Sequence, residues 1–349
     1  MLTTYLEFFC GGGLARIGLG PSRLCLFAND TSSAKGRAYV ANFGRDHLMI
    51  CDIATVPISA FPPGRVDYAW MSPPCVGHSE AGNRQGFDEE ESRAFWPAWA
   101  HIETLDALGR APLTAVFENV DGIKPKNLRA VQEAFTRAHY RHATGIIDAR
   151  HFVPQSRKRY FVVGAHRDLG VDPEPLMEAA MRALPERTIG LADVIDFDAT
   201  GCKWEYPPAE VQRYLAMLSP LQDARLRTLL ATGRSYALPF SKRMRGPKSG
   251  ERVQRVEFRQ GIASALRVPS SQVNGKKKGG GSSKQYLILV TPDGKIRMRA
   301  IQPREAARLM GLPRDPIEAL SLLGDGVVVP VVRASWPSTS SSRCSRARL

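Results

Sequence analysis

The sequence predicts an α/β fold, a doubly wound and mostly parallel sheet with a second, smaller domain, and three observations carry that prediction. Over residues 5–163 short apolar runs alternate with helical stretches, the rhythm of βαβ units. Several of those runs end in residues that turn the chain or carry chemistry: Cys10-Gly11-Gly12-Gly13, Ser72-Pro73-Pro74-Cys75 and Glu118-Asn119. A doubly wound sheet places its ligands at such carboxyl ends. After His166 the texture changes, with Pro173, Pro175, Pro185, Pro207 and Pro208 punctuating short segments and Lys, Gly and Ser crowding residues 276–283.

Taken in order, residues 6–9 form the first strand, and the glycines after it lead into a helix through Gly18. Residues 23–28 form the second strand and 31–43 its crossover helix. Residues 66–71 and 113–117 are the strands that carry Ser72-Pro73-Pro74-Cys75 and Glu118-Asn119, and 160–163 is a further strand edged by Gly164. The domain boundaries expected from these shifts are 1–183, a small domain at 184–295, a C-terminal return at 296–333 and an irregular tail at 334–349. Regular structure resumes across the boundary at 295 with a hairpin, 286–290 and 295–299 about the turn Pro292-Asp293-Gly294. The return then holds a helix over 303–310 with Pro at its first turn and Gly311 beyond its end. The tail has six serines, three arginines and no amphipathic period.

Composition narrows the partners. A chain of 349 residues, 43% hydrophobic and 23% charged, excludes wholesale disorder, a collagen-like fibre and a disulfide mini-protein. The start lacks a signal peptide's basic and long apolar stretches, and the apolar run 327–332 is broken by Pro330, so an intracellular chain without a membrane span is expected. The six cysteines form no CxxC pair and no His clusters at zinc spacing, which indicates neither a disulfide framework nor a structural zinc. Lys and Arg number 48 against 34 Asp and Glu, a net +14, and residues 242–284 hold twelve basic and two acidic residues. That concentration suits a polyanionic partner approaching one face, or a solvated basic surface.

The motifs have two readings each when taken singly. Gly11-Gly12-Gly13 suits either a tight turn or a close approach to a nucleotide-type ligand. Asp30 and Asp52 sit where carboxylates can meet ribose hydroxyls and an adenine amine, or cap a helix or loop. Pro73 and Pro74 hold the chain extended and present Cys75, a thiolate nucleophile or an inert buried thiol. Glu118 ends the neighbouring strand, where a carboxyl beside a nucleophile suits proton donation to a ring nitrogen. Gln155, Arg157 and Arg159 alternate onto one face, where arginines can fix the carboxylate, hold a carbonyl or contact phosphate, or form a solvated strand end.

Taken together these motifs resemble the DNA cytosine-5 methyltransferases, in order, over residues 6–332. Phe9-Cys10-Gly11-Gly12-Gly13 is similar to the cofactor loop, Asn29-Asp30 and Cys51-Asp52-Ile53 to the next two cofactor contacts, and Pro74-Cys75-Val76-Gly77-His78-Ser79 to the nucleophile loop. Glu118-Asn119-Val120 resembles the catalytic acid motif, and Val153-Pro154-Gln155-Ser156-Arg157-Lys158-Arg159 the arginine motif. Residues 304–311 and 324–330 resemble the last two blocks. The sequence departs at Glu7, where the family commonly has Asp, at Val76 and His78 in place of Gln and Phe, and at Asp325 in place of Asn.

The resemblance implies a Rossmann-like methyltransferase domain followed by a target-recognition domain. It implies S-adenosylmethionine, converted to S-adenosylhomocysteine, held by Phe9, Gly11, Gly13, Asp30, Asp52, Ile53, Pro74, Asp325 and Val327. Cys75 would add to carbon 6 of a flipped-out cytosine while Glu118 serves ring N3, Arg159 holds the base carbonyl, and Arg157 and Gln155 organise the site. Double-stranded DNA would meet Ser79, Arg84, Lys242, Arg243, Arg245, Lys248, Lys276, Lys277 and Lys278, and residues 80–87 would form a lid. The chemistry requires no metal. A monomer in the bacterial cytoplasm or nucleoid, or in a phage-infected host, is expected, with a cognate restriction endonuclease as a candidate partner. The alternatives are an RNA cytosine-5 methyltransferase of the same fold, a catalytically inactive DNA-binding relative, and a Rossmann dehydrogenase, which leaves Pro74-Cys75 and Glu118 unexplained.

Overall fold

A computed structural model describes residues 2–74, 94–202, 204–245, 253–266, 285–312 and 327–334, without the side chains of 243–245, 253 and 334. Two compact units emerge: Met1–Asp148 with Lys158–Pro185 and Ile317–Leu349, and Ala149–Arg157 with Glu186–Pro316.

The first unit is built on seven strands: β1 (Thr3–Phe8), β2 (Arg23–Asp30), β3 (Leu48–Ile50), β4 (Tyr68–Met71), β5 (Thr114–Val120), β6 (Tyr140–Asp148) and β7 (Lys158–His166). Their order is β3-β2-β1-β4-β5-β7-β6, parallel as far as β5 and antiparallel for β5–β7 and β7–β6. Every residue of β4 and β5 is buried, as expected of central strands covered on both faces. The strand β6 was not anticipated, and it pairs with β7 at all nine positions.

Helices α1 (Leu14–Leu19), α2 (Ser33–Phe43), α3 (Phe95–Ala107), α4 (Pro125–Arg137) and α5 (Pro173–Arg182) flank this sheet. The Ser32 hydroxyl starts α2 by accepting from the Lys35 amide at 3.3 Å. Trp99 of α3 stacks on Phe135 of α4 with centroids 4.4 Å apart and donates its indole N–H to the Ala134 carbonyl at 3.2 Å. Both rings belong to a core that runs from Leu6 and Phe8 to Val162. The last described helix, numbered α10 below, covers Val329–Ala334 and closes on α1, where a Cβ on Gly18 would stand 2.5 Å from Val332 Cβ.

The second unit holds short helices α6 (Leu191–Val194), α7 (Pro208–Leu215), α8 (Pro220–Leu230) and α9 (Pro303–Leu309), together with β8 (Tyr236–Arg245), β9 (Val253–Phe258), β10 (Tyr286–Val290) and β11 (Ile296–Ala300). The four strands form an antiparallel sheet in the order β11-β10-β8-β9. The hairpin expected from sequence is β10–β11, with Gly294 at φ +80° in its turn. Arg299, fully buried on β11, makes two bonds to Glu305 of α9, at 2.8 and 2.6 Å. Glu305 also accepts from the amides of Asp196 at 2.9 Å and Gln302 at 2.6 Å, so one carboxylate ties α9 to its surroundings.

The partition differs from the boundaries drawn on composition. Residues 296–312 pack within the second unit through this hairpin and ion pair, and 149–157 join it, whereas α10 of the same expected return lies in the first. Among the described residues no helix is long and apolar enough to cross a membrane.

Candidate active site

Strand order reverses between β1 and β4, so the crevice outside their carboxyl ends is the topological switch point. The chain leaves β1 with Phe9 at φ +58° and Gly11 at φ +56° and enters α1 through Gly13 at φ +85°. A Cβ on Gly13 would collide with the Phe43 ring, so glycine there serves both the turn and the packing beneath it.

The cavity at these ends is lined by Phe9, Gly11, Asp30, Pro74 and Val327 of the expected cofactor contacts, and by Glu118 and Arg159 of the expected catalytic residues. Asp30, at the end of β2, accepts from the Gly11 amide at 2.9 Å and the Ser32 amide at 2.8 Å, joining the glycine loop to the start of α2. Three expected contacts lie outside this lining. Gly13 packs under Phe43. Ile53 is buried in the core, and exposed Asp52 caps its own short helical turn by accepting from the Ala54 amide at 2.9 Å.

Sequence reading gave no site role to several lining residues, above all Glu7, Lys35, Trp70 and Asn119. Glu7 is fully buried on β1. Its Oε2 accepts from the Tyr39 hydroxyl at 3.4 Å, Tyr39 in turn accepts from Arg16 at 2.9 Å, and its Oε1 has no partner among the described residues. Burial pushes its carboxyl up to about 8 against the opposing pull of Arg16. A charged residue inside the otherwise apolar run Tyr-Leu-Glu-Phe was the available signal.

At the far side of the cavity β5 delivers Glu118 and β7 delivers Arg159. The guanidinium Nε lies 3.0 Å from Glu118 Oε1 with both side chains nearly buried, and Arg159 also donates to the Lys158 carbonyl at 2.7 Å. The neighbouring Ser72-Pro73-Pro74 segment is braced by Trp70 donating to Ser72 Oγ at 2.6 Å and Asn119 donating to the Pro73 carbonyl at 3.4 Å. Asn119 Oδ1 accepts from the Val120 amide at 2.9 Å, which fixes the amide's orientation. Cys75, Ser79, Arg84, Lys248, Lys276, Lys277, Lys278, Asp325 and the expected lid at 80–87 lie outside the described residues.

Gln155 and Arg157 belong to the second unit and serve it structurally. Gln155, fully buried, donates to the Leu309 carbonyl at 2.8 Å and accepts from the Leu266 amide at 2.9 Å, and Arg157 donates to the Leu266 carbonyl at 3.0 Å. Of the expected nucleic-acid contacts on β8, the side chains of Arg243 and Arg245 are not described. Lys242 is exposed, and its ammonium donates to the Tyr214 hydroxyl at 3.0 Å and sits 4.6 Å from that ring's centroid.

A reversed sheet order, a glycine loop, an acidic strand end and a paired carboxyl and guanidinium in one cavity define an α/β enzyme that takes a nucleoside-type cofactor. The chain belongs to the C-5 cytosine-specific DNA methylase family, whose family model matches residues 3–335. It is 24% identical over 364 residues to the type II methyltransferase M.HpaII of Haemophilus parainfluenzae, covering 95% of this chain and 87% of that one. It is 25% identical to the type II methyltransferase M.MthTI of Methanothermobacter thermautotrophicus, covering 92% and 89%. In fold it is similar to the methyltransferase EhMeth of Entamoeba histolytica (TM-score 0.63, 14% identity, 96% of each chain) and to the S. pombe Dnmt2 methyltransferase (TM-score 0.59, 17% identity, 95% and 96%).

Family membership implies S-adenosylmethionine, and the cavity fits it. That cofactor carries a sulfonium and an ammonium, and the lining offers the carboxyls of Glu7, Asp30 and Glu118, the first with an oxygen left unpartnered.

Proposed function

We propose that this chain is a site-specific DNA cytosine-5 methyltransferase that acts on a flipped-out cytosine through a covalent Cys75 adduct. The observation that carries the reading is the Glu118–Arg159 pair at 3.0 Å, lining the same cavity as the Gly11 loop and Pro74. In sequence Cys75 directly follows Pro74.

Carbon 5 of cytosine is too weak a nucleophile to accept a methyl group unaided. The Cys75 thiolate adds to carbon 6 while Glu118 holds a proton at ring N3, which makes carbon 5 enamine-like. Arg159 keeps Glu118 oriented and presents its remaining donors to the base carbonyl. Bound S-adenosylmethionine supplies the electrophilic methyl group, and S-adenosylhomocysteine is the coproduct. Loss of the carbon 5 proton then expels the thiolate. Phe9, Gly11, Asp30, Pro74 and Val327 hold the cofactor, with Gly13 shaping the loop, and Asp52, Ile53 and Asp325 complete the proposed set. Gln155 and Arg157 position the chain that leads to Arg159.

Flipping the base costs roughly a few kcal/mol, met by contacts to DNA. Ser79, Arg84 and the basic residues of 242–284 supply them, those at Arg243, Arg245, Lys248 and 276–278 reaching phosphates and Lys242 adding its charge from its place against Tyr214. The first unit, with α10, is the catalytic domain and the second carries target recognition. The protein acts as a monomer in a bacterial or phage-infected cytoplasm.

Incubating the purified chain with labelled S-adenosylmethionine and mixed-sequence duplex DNA, then sequencing for 5-methylcytosine, tests this reading. Methyl groups at one short motif are expected, and transfer confined to RNA would overturn it. The Cys75→Ser variant is expected to lose at least about 10³-fold in turnover with DNA binding kept. Near-normal turnover would remove the nucleophile assignment.

A further inference from the structure

At the opposite end of the sheet from the cofactor cavity, three ligand-type side chains meet from three elements of the first unit. Asp106 lies in the last turn of α3, His139 in the turn after α4 and His166 at the end of β7. The His166 amide bonds the Leu113 carbonyl at 2.9 Å, just before β5, and the five residues from there to Glu118 span about 17 Å.

His139 Nδ1 is 2.7 Å from Asp106 Oδ2, and His166 Nε2 is 2.9 Å from Asp106 Oδ1. One donor atom from each of the three side chains lies within 4.8 Å of the others. A carboxylate shared by two imidazoles is a complete hydrogen-bonded triad in itself, and three further features favour an ion between them. The donor set, two imidazoles and one carboxylate, suits a borderline divalent ion of the zinc class. Behind His166, Nδ1 lies 3.3 Å from Asp168 Oδ2, and Asp168 is anchored by Arg65 at 2.6 Å. A carboxylate so placed can support a metal-bound imidazole once Nδ1 carries the proton. The Asp168 amide donates to this nitrogen at 3.3 Å, which leaves the His166 proton on Nε2 facing Asp106, so an ion takes Nε2 by displacing that proton while Nδ1 turns a proton toward Asp168 Oδ2. Finally, the site is graded from interior to rim. The His166 side chain is 1% exposed, Asp106 11% and His139 46%, which leaves an ion a route from solvent.

We propose that Asp106, His139 and His166 bind one divalent transition-metal ion of the zinc class, clamping the end of α3, the turn after α4 and the end of β7 at a site separate from methyl transfer. At metal–ligand distances of about 2.1 Å, tetrahedral geometry separates donor atoms by about 3.4 Å. The two contacts to Asp106 therefore open by about 0.5–0.7 Å, and the widest donor separation, up to 4.8 Å, closes toward the same value, shifts within reach of side-chain motion at a half-exposed rim.

The full chain, treated with EDTA and dialysed, is titrated with ZnCl2 and separately with CoCl2. Expected are one-to-one binding, a rise in melting temperature that EDTA reverses, and the visible absorption of low-coordinate Co2+. His139→Ala removes a surface ligand and lowers affinity at least about 10-fold, and Asp168→Asn, which touches no metal, lowers it by about 10-fold through His166. The proposal is overturned by an absence of stoichiometric binding. It is overturned equally by undiminished binding in the folded His139→Ala variant, which would assign the ion to other groups such as the free thiols of Cys51 and Cys202.

Discussion

Glu7 joins one unpartnered carboxyl oxygen, complete burial and a position on the cavity at the strand ends. Its folded pKa stands at about 8 against a usual 4.5, because burial penalises the charge more than Arg16 relieves it. The folded state therefore holds a proton that the unfolded chain releases above pH 4.5. Stability from this group is fully present below that pH, declines as pH rises toward 8, and is flat beyond. The decline is expected to be on the order of a few kcal/mol, and Glu7→Gln is expected to remove it. Melting temperatures from pH 5 to 8.5 for the two proteins measure this directly, and parallel profiles would show that Glu7 does not titrate in that window. The cavity-lining residues legible in the sequence were those at strand ends or in the loops beside them: Phe9, Gly11, Asp30, Pro74, Glu118 and Arg159, the last at the start of β7. Glu7 was noticed only as a departure from the family pattern, because nothing in a linear run shows which face of a strand meets a cavity. The Asp106–His139–His166 cluster was invisible to spacing rules, since the fold joins residues 33 and 60 positions apart.

Among the elements, α9 depends most on a single pair. Arg299 and Glu305 are 0% and 1% exposed, and Glu305 also holds two backbone amides. Removing one partner of such a pair leaves an uncompensated buried charge, at a cost of about 3–5 kcal/mol. Glu305→Ala is therefore expected to lower the melting temperature by roughly 5 °C. Arg299→Met combined with Glu305→Leu should recover much of the loss, because apolar replacement of both partners removes the orphaned charge as well. A double variant no more stable than the single would mean that the backbone bonds to Glu305, and not the ion pair, hold α9. The sequence showed this helix through Pro303 and Gly311 and the hairpin before it through Pro292-Asp293-Gly294, because turn residues act locally. It did not show β6, whose run Tyr-Arg-His-Ala-Thr-Gly-Ile-Ile-Asp mixes polar residues with a glycine and is a strand only through its nine-residue pairing with β7.

For the whole molecule the governing quantity is charge. A net +14, with twelve basic and two acidic residues in 242–284, gives the chain a long-range attraction for a polyanion before any base is read. Not every cation in that stretch is equivalent. Lys242 is committed to Tyr214 at 3.0 Å and over its ring, whereas Lys276, Lys277 and Lys278 stand in a run with Gly279, Gly280 and Gly281, a sequence with no apolar side chain to pack. Each lysine that neutralises a phosphate releases counterion, so changing all three to Gln is expected to weaken binding on every duplex alike and to reduce the slope of log affinity against log salt by up to about 2.7. Affinities measured between 50 and 200 mM salt on cognate and scrambled duplexes separate the possibilities. A uniform loss with a flatter slope assigns the run to phosphate, and a loss concentrated at one base pair would make it a reader of sequence instead.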